Sequence, residues 1–116
     1  LSGRSAEVII SGGVNIYPQE IDDVLALHRA VADVACVGVP HADLGEEIKA
    51  VIELRPGFAP DAALRQSLAD FCVERLSKQK WPRSFDFVAA LPRSEAGKGL
   101  RRALRERYWA GRERQI

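Results

Sequence analysis

A lysine that directly follows a glycine near the end of the chain is the side chain best placed to do chemistry. Lys98 lies in the stretch LPRSEAGKGLRR, residues 91–102. The phosphate-binding pattern GxxxxGK[ST] would need glycine at position 92 and Ser or Thr at position 99, but these are Pro92 and Gly99. A P-loop is therefore not predicted. An ammonium between a loop and a helix could still reach an anion, and the alternative is an ordinary solvated lysine.

A second candidate is the stretch SGGVNIYP, residues 11–18. Gly12 and Gly13 allow a tight turn and a close approach of the backbone to a ligand, with Asn15 as a polar neighbour. A turn without a ligand explains the same residues, so both interpretations stay open on this segment alone.

Other common sites are not predicted. There is no Ser-His-Asp arrangement, no dinucleotide fingerprint and no defensible carboxylate pair. His28 and His41 have no third ligand nearby, so no metal site is expected. The segment HADLGEE, residues 41–47, carries Glu46 and Glu47, and we interpret it as a solvated loop.

The cysteines and the apolar runs indicate the class of protein. Cys36 and Cys72 are far apart in apolar surroundings, as expected for reduced core thiols in the cytoplasm. No apolar run approaches the roughly 20 residues of a membrane span, and no signal peptide is visible. Because the chain begins at Leu1, apparently within a motif, we expect a fragment of a longer protein.

Hydrophobic periodicity predicts the elements that would hold these residues. The 116 residues suit one small α+β domain, with an N-terminal β-hairpin and a roughly three-stranded sheet covered by helices. A proline opens the first helix and Asp61 is the expected N-cap of the second. The predicted order is a hairpin over 8–17, a helix over 18–28, strands over 31–39 and 48–55, a helix over 62–77, a strand over 84–91, and a last helix whose apolar stripe is Leu100, Ala103, Leu104 and Tyr108.

Charge is unevenly distributed along the chain. Residues 98–116 hold seven basic and two acidic side chains, although the whole chain has a net charge of only +1. Such a segment can hold a polyphosphate or nucleic acid, or it can be a solvated helix face. A small basic nucleic-acid-binding module is thus a rival hypothesis, but no aromatic platform accompanies the arginines.

Three collinear motifs resemble one family. They are GRSAEVIISGGVNIYPQEI, VGVPHADLGEEIKAVIELRPG and LPRSEAGKGLRRALR, and together they span nearly the whole chain. They look like the C-terminal domain of the adenylate-forming acyl-CoA synthetases. The resemblance implies that residues 1–116 form a lid over an N-terminal domain, which binds ATP with Mg²⁺ and a carboxylic acid. The lid would serve adenylation first, and would then rotate so that CoA can attack the acyl-adenylate.

The resemblance also implies roles for single residues. Lys98 corresponds to the adenylation lysine, and Arg4 to an arginine that touches the nucleotide ribose. Asn15 falls near the expected acyl-adenylate, and Gly12 and Gly13 near the pantetheine arm of CoA.

The segment KQKWPR corresponds to one that meets the CoA nucleotide. Trp81 would stack on adenine and Arg83 would contact phosphate, although a half-buried loop anchor explains Trp81 equally well. Ala6 stands at the hinge position, where relatives commonly have Asp or Lys, and Glu7 follows it. Two further departures, Leu44 and Gln79, stand where many relatives have aromatic residues.

Two further interpretations concern partners. The stretch PRSEAGK, residues 92–98, resembles the pattern that protein acetyltransferases recognise in this family, which makes Lys98 a candidate acetylation site. The domain could also be the lid of an adenylating enzyme that never uses CoA, or a regulatory lid recognised by another protein.

Overall fold

The computed structural model describes residues 8–43, 45–91 and 98–113. Within these residues, five strands, three α-helices and one 3₁₀ turn follow each other. They are β1 (Ile9–Ser11), β2 (Val14–Ile16), α1 (Pro18–Leu25), β3 (Val31–His41), β4 (Gly45–Leu54), α2 (Ala62–Arg75), the 3₁₀ turn (Lys78–Lys80), β5 (Ser84–Val88) and α3 (Lys98–Glu113).

All five strands belong to one sheet, in which β4 is central. The order is β2-β1-β4-β3, and β5 pairs with β4 in parallel while the other pairs are antiparallel. Among the described residues, the hairpin β1–β2 is paired with β4 at Ser11 and Gly45. The predicted α+β class is confirmed, and the predicted hairpin and three strands are parts of one sheet.

Strands β3 and β4 are longer than the sequence predicts. We expected a strand end at Pro40 and a solvated loop over 41–47, but β3 continues to His41 and β4 begins at Gly45. The prediction of a loop around Glu46 is therefore wrong. Because β3 is an edge strand, a proline without an N–H group can lie within it at little cost.

The two faces of the sheet carry separate cores. Alternate residues of a strand point to opposite faces, so β3 contributes Cys36 to one core and Val37 to the other. Helices α1 and α2 cover the first face, and α3 covers the second with the buried Leu104. Both cysteines are free and buried, as predicted.

The helix ends follow local chemistry. The backbone N–H of Leu64 donates to Asp61 at 2.9 Å, which confirms the predicted cap of α2. Helix α1 ends at Leu25, three residues before the predicted end, and the buried His28 instead accepts the backbone N–H of Ala30 on Nδ1 at 3.1 Å. In α3, Ala103 is exposed rather than part of the apolar stripe.

Candidate functional site

The tip of the hairpin has a backbone that requires glycine. Gly12 and Gly13 have φ angles of 59° and 84°. These positive values are typical of the two-residue hairpin turn whose backbone matches the twist of the paired strands. A Cβ built on Gly13 would meet no atom of the described residues within 4 Å, its two chain neighbours aside. The space above the turn is therefore open to a ligand or to another part of the protein.

A groove of about 340 Å³ lies between this hairpin and the segment that follows α2. It brings Gly12 together with Trp81 and Arg83, which are remote from it in the sequence. Gly13 and Asn15 do not line it, and Asn15 is exposed opposite Ile10 in the hairpin. The full lining is Ser11, Gly12, Val14, Ile48, Lys78, Gln79, Trp81 and Arg83.

Trp81 is fixed in the wall of the groove. Its indole Nε1–H donates to the carbonyl of Leu76 at 2.9 Å, and its ring packs against the core beneath α2. The preceding 3₁₀ turn is attached to α1 by an ion pair between Lys80 and Glu20. Trp81 therefore anchors its loop and also presents an aromatic surface to the groove.

The charge of the groove comes from two exposed cations. Lys78 and Arg83 lie in the lining, and the described lining residues include no carboxylate. The backbone N–H of Arg83 donates to the carbonyl of Ile48 at 2.9 Å, which ties this part of the chain to β4. An apolar wall with an indole and a cationic rim suits a ligand that combines an apolar arm with phosphates.

Lys98 lies on a different part of the domain. It is the first residue of α3, the helix on the face opposite to α1 and α2, whereas Ile48 and Trp81 of the groove belong to the core beneath α1 and α2. With a rise of about 1.5 Å per residue, Lys98 precedes Arg105 by roughly 10 Å along the helix. Arg4, Ala6, Glu7 and the loop 92–97 lie outside the described residues, so the predictions on them stay predictions.

A partly buried carboxylate that the sequence did not single out connects the hairpin to α3. Glu46 accepts the backbone N–H of Ile10 on Oε1 at 3.0 Å and the Nη2–H of Arg105 on Oε2 at 2.9 Å. The carbonyl of Gly38 accepts hydrogen bonds from Arg105 at 3.4 Å and from the indole of Trp109 at 2.8 Å. We refer to these five residues as the Glu46 network.

Comparisons with known proteins decide the family. The family described as AMP-binding enzyme C-terminal domain matches residues 20–98. The chain belongs to this family. One relative is the sulfoacetate–CoA ligase of Cupriavidus necator, 44% identical over 105 residues, which are 90% of this chain and 20% of the relative.

Two further relatives differ in the chemistry their names state. The fatty acid–[acyl-carrier-protein] ligase ScoC of Streptomyces coeruleorubidus is 36% identical over 97% of this chain and 21% of its own length. The solved anthranilate CoA ligase AuaEII in complex with anthranoyl-AMP superimposes with a TM-score of 0.84 at 32% identity, over 94% of this chain and 21% of that one. This AMP-binding C-terminal domain thus spans about a fifth of the length of these relatives.

A second polar cluster holds α3 of the AMP-binding C-terminal domain against β5. Tyr108 donates its hydroxyl to Asp86, and Lys49 forms an ion pair with the same carboxylate at 3.3 Å. Partial burial alone would raise the pKa of Asp86, but the hydrogen bond from Tyr108 and the charge of Lys49 together hold it below the usual value. Burial, and then the bond to Asp86, raise the pKa of Tyr108.

The described residues contain neither a metal-binding cluster nor a helix that could span a membrane. Across residues 8–43, 45–91 and 98–113, no three His, Cys, Asp or Glu side chains are grouped as a metal site would require. In the same part of the chain, no helix has the length and apolar character to cross a bilayer. His41 lies 3.7 Å from Glu47, and His28, in the segment that follows α1, has its Nε2 2.9 Å from the hydroxyl of Ser67.

Proposed function

We propose that this domain is the movable lid of an ATP-dependent carboxylate–CoA ligase and serves its two half-reactions with two different surfaces. Lys98 would act in adenylation, and the groove beside Gly12 would receive the thiol in the second step. The observation that carries the proposal is their separation, because the groove and α3 lie on opposite faces of one sheet. One rigid domain can present such surfaces to the same active site only in two orientations.

In the adenylation step the ammonium of Lys98 would contact the α-phosphate and the carboxylate while pyrophosphate leaves. A cation placed where charge develops on phosphoryl oxygens stabilises the transition state. ATP and Mg²⁺ would be held by the N-terminal domain, with Arg4 near the ribose and Asn15 near the acyl-adenylate. Ala6 and Glu7 are the proposed hinge.

In the thioester step the groove would receive the thiol substrate. The indole of Trp81 offers a surface on which adenine can stack, and Lys78 and Arg83 offer charges for its phosphates. The open space beside Gly13 would let the pantetheine arm pass close to the backbone of the turn.

The acceptor could instead be a carrier protein, since the name of one relative states an acyl-carrier-protein acceptor. CoA carries an adenine nucleotide, whereas the prosthetic arm of a carrier protein does not. The aromatic and cationic lining therefore favours CoA. Replacing Trp81 by alanine should raise the KM for CoA, and it should leave the KM for a phosphopantetheinylated carrier protein within twofold.

The test of the two-surface proposal separates the half-reactions in the full-length protein. Lys98→Ala should slow ATP–pyrophosphate exchange about a hundred- to thousand-fold, the usual loss for a group that stabilises transition-state charge. It should spare thioester formation from supplied acyl-adenylate. Gly13→Leu should do the reverse, because a bulky residue with positive φ is strained and fills the open space.

The exposed Arg107→Ala on the same helix is the matched control and should leave both rates unchanged. Equal losses in both half-reactions for Lys98→Ala would contradict the proposal. Residues 1–116 alone should catalyse no exchange with a panel of carboxylic acids, since the nucleotide and acyl pockets are assigned to the N-terminal domain.

We also propose that acetylation of Lys98 switches adenylation off, because it removes the ammonium charge. Incubation with a protein acetyltransferase and acetyl-CoA, followed by peptide mapping, tests this. Modification confined to Lys49, Lys78 and Lys80 would refute it. A cytoplasmic location is a further proposal and rests on the two free thiols. Family membership gives no support to the nucleic-acid-binding alternative.

A further inference from the structure

The hairpin beside the groove is weakly attached to the rest of the sheet. Strand β1 has three residues, and within the part of the chain that the structure describes it is paired with β4 at Ser11 and Gly45. A two-stranded hairpin is marginally stable by itself. Its position must therefore depend on contacts beyond strand pairing, of which the buried Ile9 and Ile16 are one part.

The Glu46 network supplies a polar contact of the required kind. The side chain of Glu46 is only 15% exposed, and its two oxygens serve two different elements. Oε1 accepts from Ile10 in the hairpin, and Oε2 accepts from Arg105 in α3. Hydrogen bonds to a charged group are stronger and more directional than neutral ones, so this carboxylate fixes its partners relative to each other.

The other members of the network hold Arg105 in place. Its guanidinium also donates to the carbonyl of Gly38 and stacks on the ring of Trp109, with 4.5 Å between the guanidinium carbon and the ring centroid. Gly38 leaves room for the carboxylate, because a Cβ at that position would lie 2.6 Å from Oε1 of Glu46. The arrangement therefore requires glycine, arginine and glutamate at these three positions together.

We propose that Glu46 is a positioning residue for the thioester step: it couples the hairpin beside the groove to α3, so that the helix that begins at Lys98 holds the wall of the thiol site in place. Glu46 is not assigned any contact with substrate. The functional half of this inference rests on the function proposed above, whereas the coupling itself is a physical property of the domain.

Hydrogen exchange tests the coupling without any activity measurement. In the Arg105→Ala variant of the 116-residue chain, the amide of Ile10 should exchange about tenfold faster. The reason is that the charge-assisted bond from Arg105, which holds the acceptor carboxylate of Glu46 in place, is lost. The described hydrogen bonds of Arg105 go to Gly38 and Glu46, and of these two residues Glu46 is the one whose side chain also accepts from the amide of Ile10. The amides of α2 should exchange at the rate of the unmodified chain, and Arg107→Ala is the matched control.

Kinetics of the full-length protein test the positioning role. Arg105→Ala and Glu46→Gln should each raise the KM for the thiol about three- to tenfold, because each variant keeps only part of the Glu46 network. The rate of ATP–pyrophosphate exchange should stay within twofold of that of the unmodified protein. Glu46→Ala should show the largest effect, since it removes both bonds.

The outcomes separate the two hypotheses. Unchanged exchange at Ile10 in Arg105→Ala, or faster exchange over the whole domain, overturns the coupling and leaves the proposed function intact. Faster exchange at Ile10 with an unchanged thiol KM overturns the positioning role, whereas the assignment of the groove to the thiol fails separately, if Trp81→Ala leaves the KM for CoA unchanged.

Discussion

Replacement of Gly38 by alanine should destabilise the domain through a clash with Glu46 on the neighbouring strand β4. The new Cβ would lie 2.6 Å from Oε1 of Glu46 and 3.1 Å from Cγ2 of Ile9. The carboxylate is the end of a flexible side chain, but its bonds to Ile10 and Arg105 prevent it from moving freely. The clash must therefore break these bonds or distort the strands.

The magnitude follows from those bonds. A hydrogen bond to a charged group contributes about 1.5–3 kcal/mol. Overpacking by one methyl group typically costs about 1–3 kcal/mol. These two destabilising effects are partly offset, because alanine in a strand is favoured over glycine by roughly 0.5–1 kcal/mol. We expect a loss of about 2–3 kcal/mol in the free energy of unfolding, which lowers the urea midpoint by about 1–2 M for a domain of this size.

The assay is urea unfolding of the 116-residue chain, followed by the fluorescence of Trp81 and Trp109. A double-mutant cycle with Glu46→Ala isolates the cause. In that background the carboxylate is gone. Gly38→Ala should then lower the free energy of unfolding by less than about 1 kcal/mol, mainly because the new methyl group is still close to Ile9. Equal costs in both backgrounds would refute the reasoning.

Three further predictions concern titratable groups. Burial and then the neighbouring arginines lower the pKa of His28, so the free energy of unfolding should fall as the pH drops through about 6.5. His28→Gln should remove this fall in urea titrations carried out from pH 8 to 5. The pKa of Asp86 is held below 3.8, so its ionised form stabilises the fold above about pH 4. This stabilisation is lost as the pH falls through the lower pKa of the folded state. Tyr108→Phe should therefore reduce the loss of unfolding free energy measured between pH 5 and 3. Burial raises the pKa of Cys72 to about 11, so a thiol reagent at pH 8 should label it no faster than the domain unfolds, and immediate labelling would contradict this.

Local patterns predicted the elements of this fold well. The glycine pair gave the hairpin turn, Asp61 gave the start of α2, and apolar periodicity placed the helices and core strands. These features depend on residues within a few positions of each other. The resemblance to one family also named Gly12, Trp81 and Arg83, which the structure brings to a single groove.

Tertiary contacts explain what the sequence did not predict. Glu46 is 36 residues from Ile10 and 59 from Arg105, so no local pattern marks it as a partly buried acceptor. The same acidic segment reads as a solvated loop until β3 and β4 are paired along their full length. Pro40 suggested a strand end, and only the position of β3 at the edge of the sheet makes its inclusion possible.

The position of α3 has a consequence for the behaviour of the protein in concentrated solution. Strand β3 is an eleven-residue edge strand, and unpaired edges of this kind are sites where sheets of different molecules join. At Pro40 the edge has no N–H to donate, and at Gly38 the carbonyl is already bonded to Arg105 and Trp109. The side chains that hold the helix thus also shield the sheet from intermolecular pairing, and removing α3 would expose a template for aggregation.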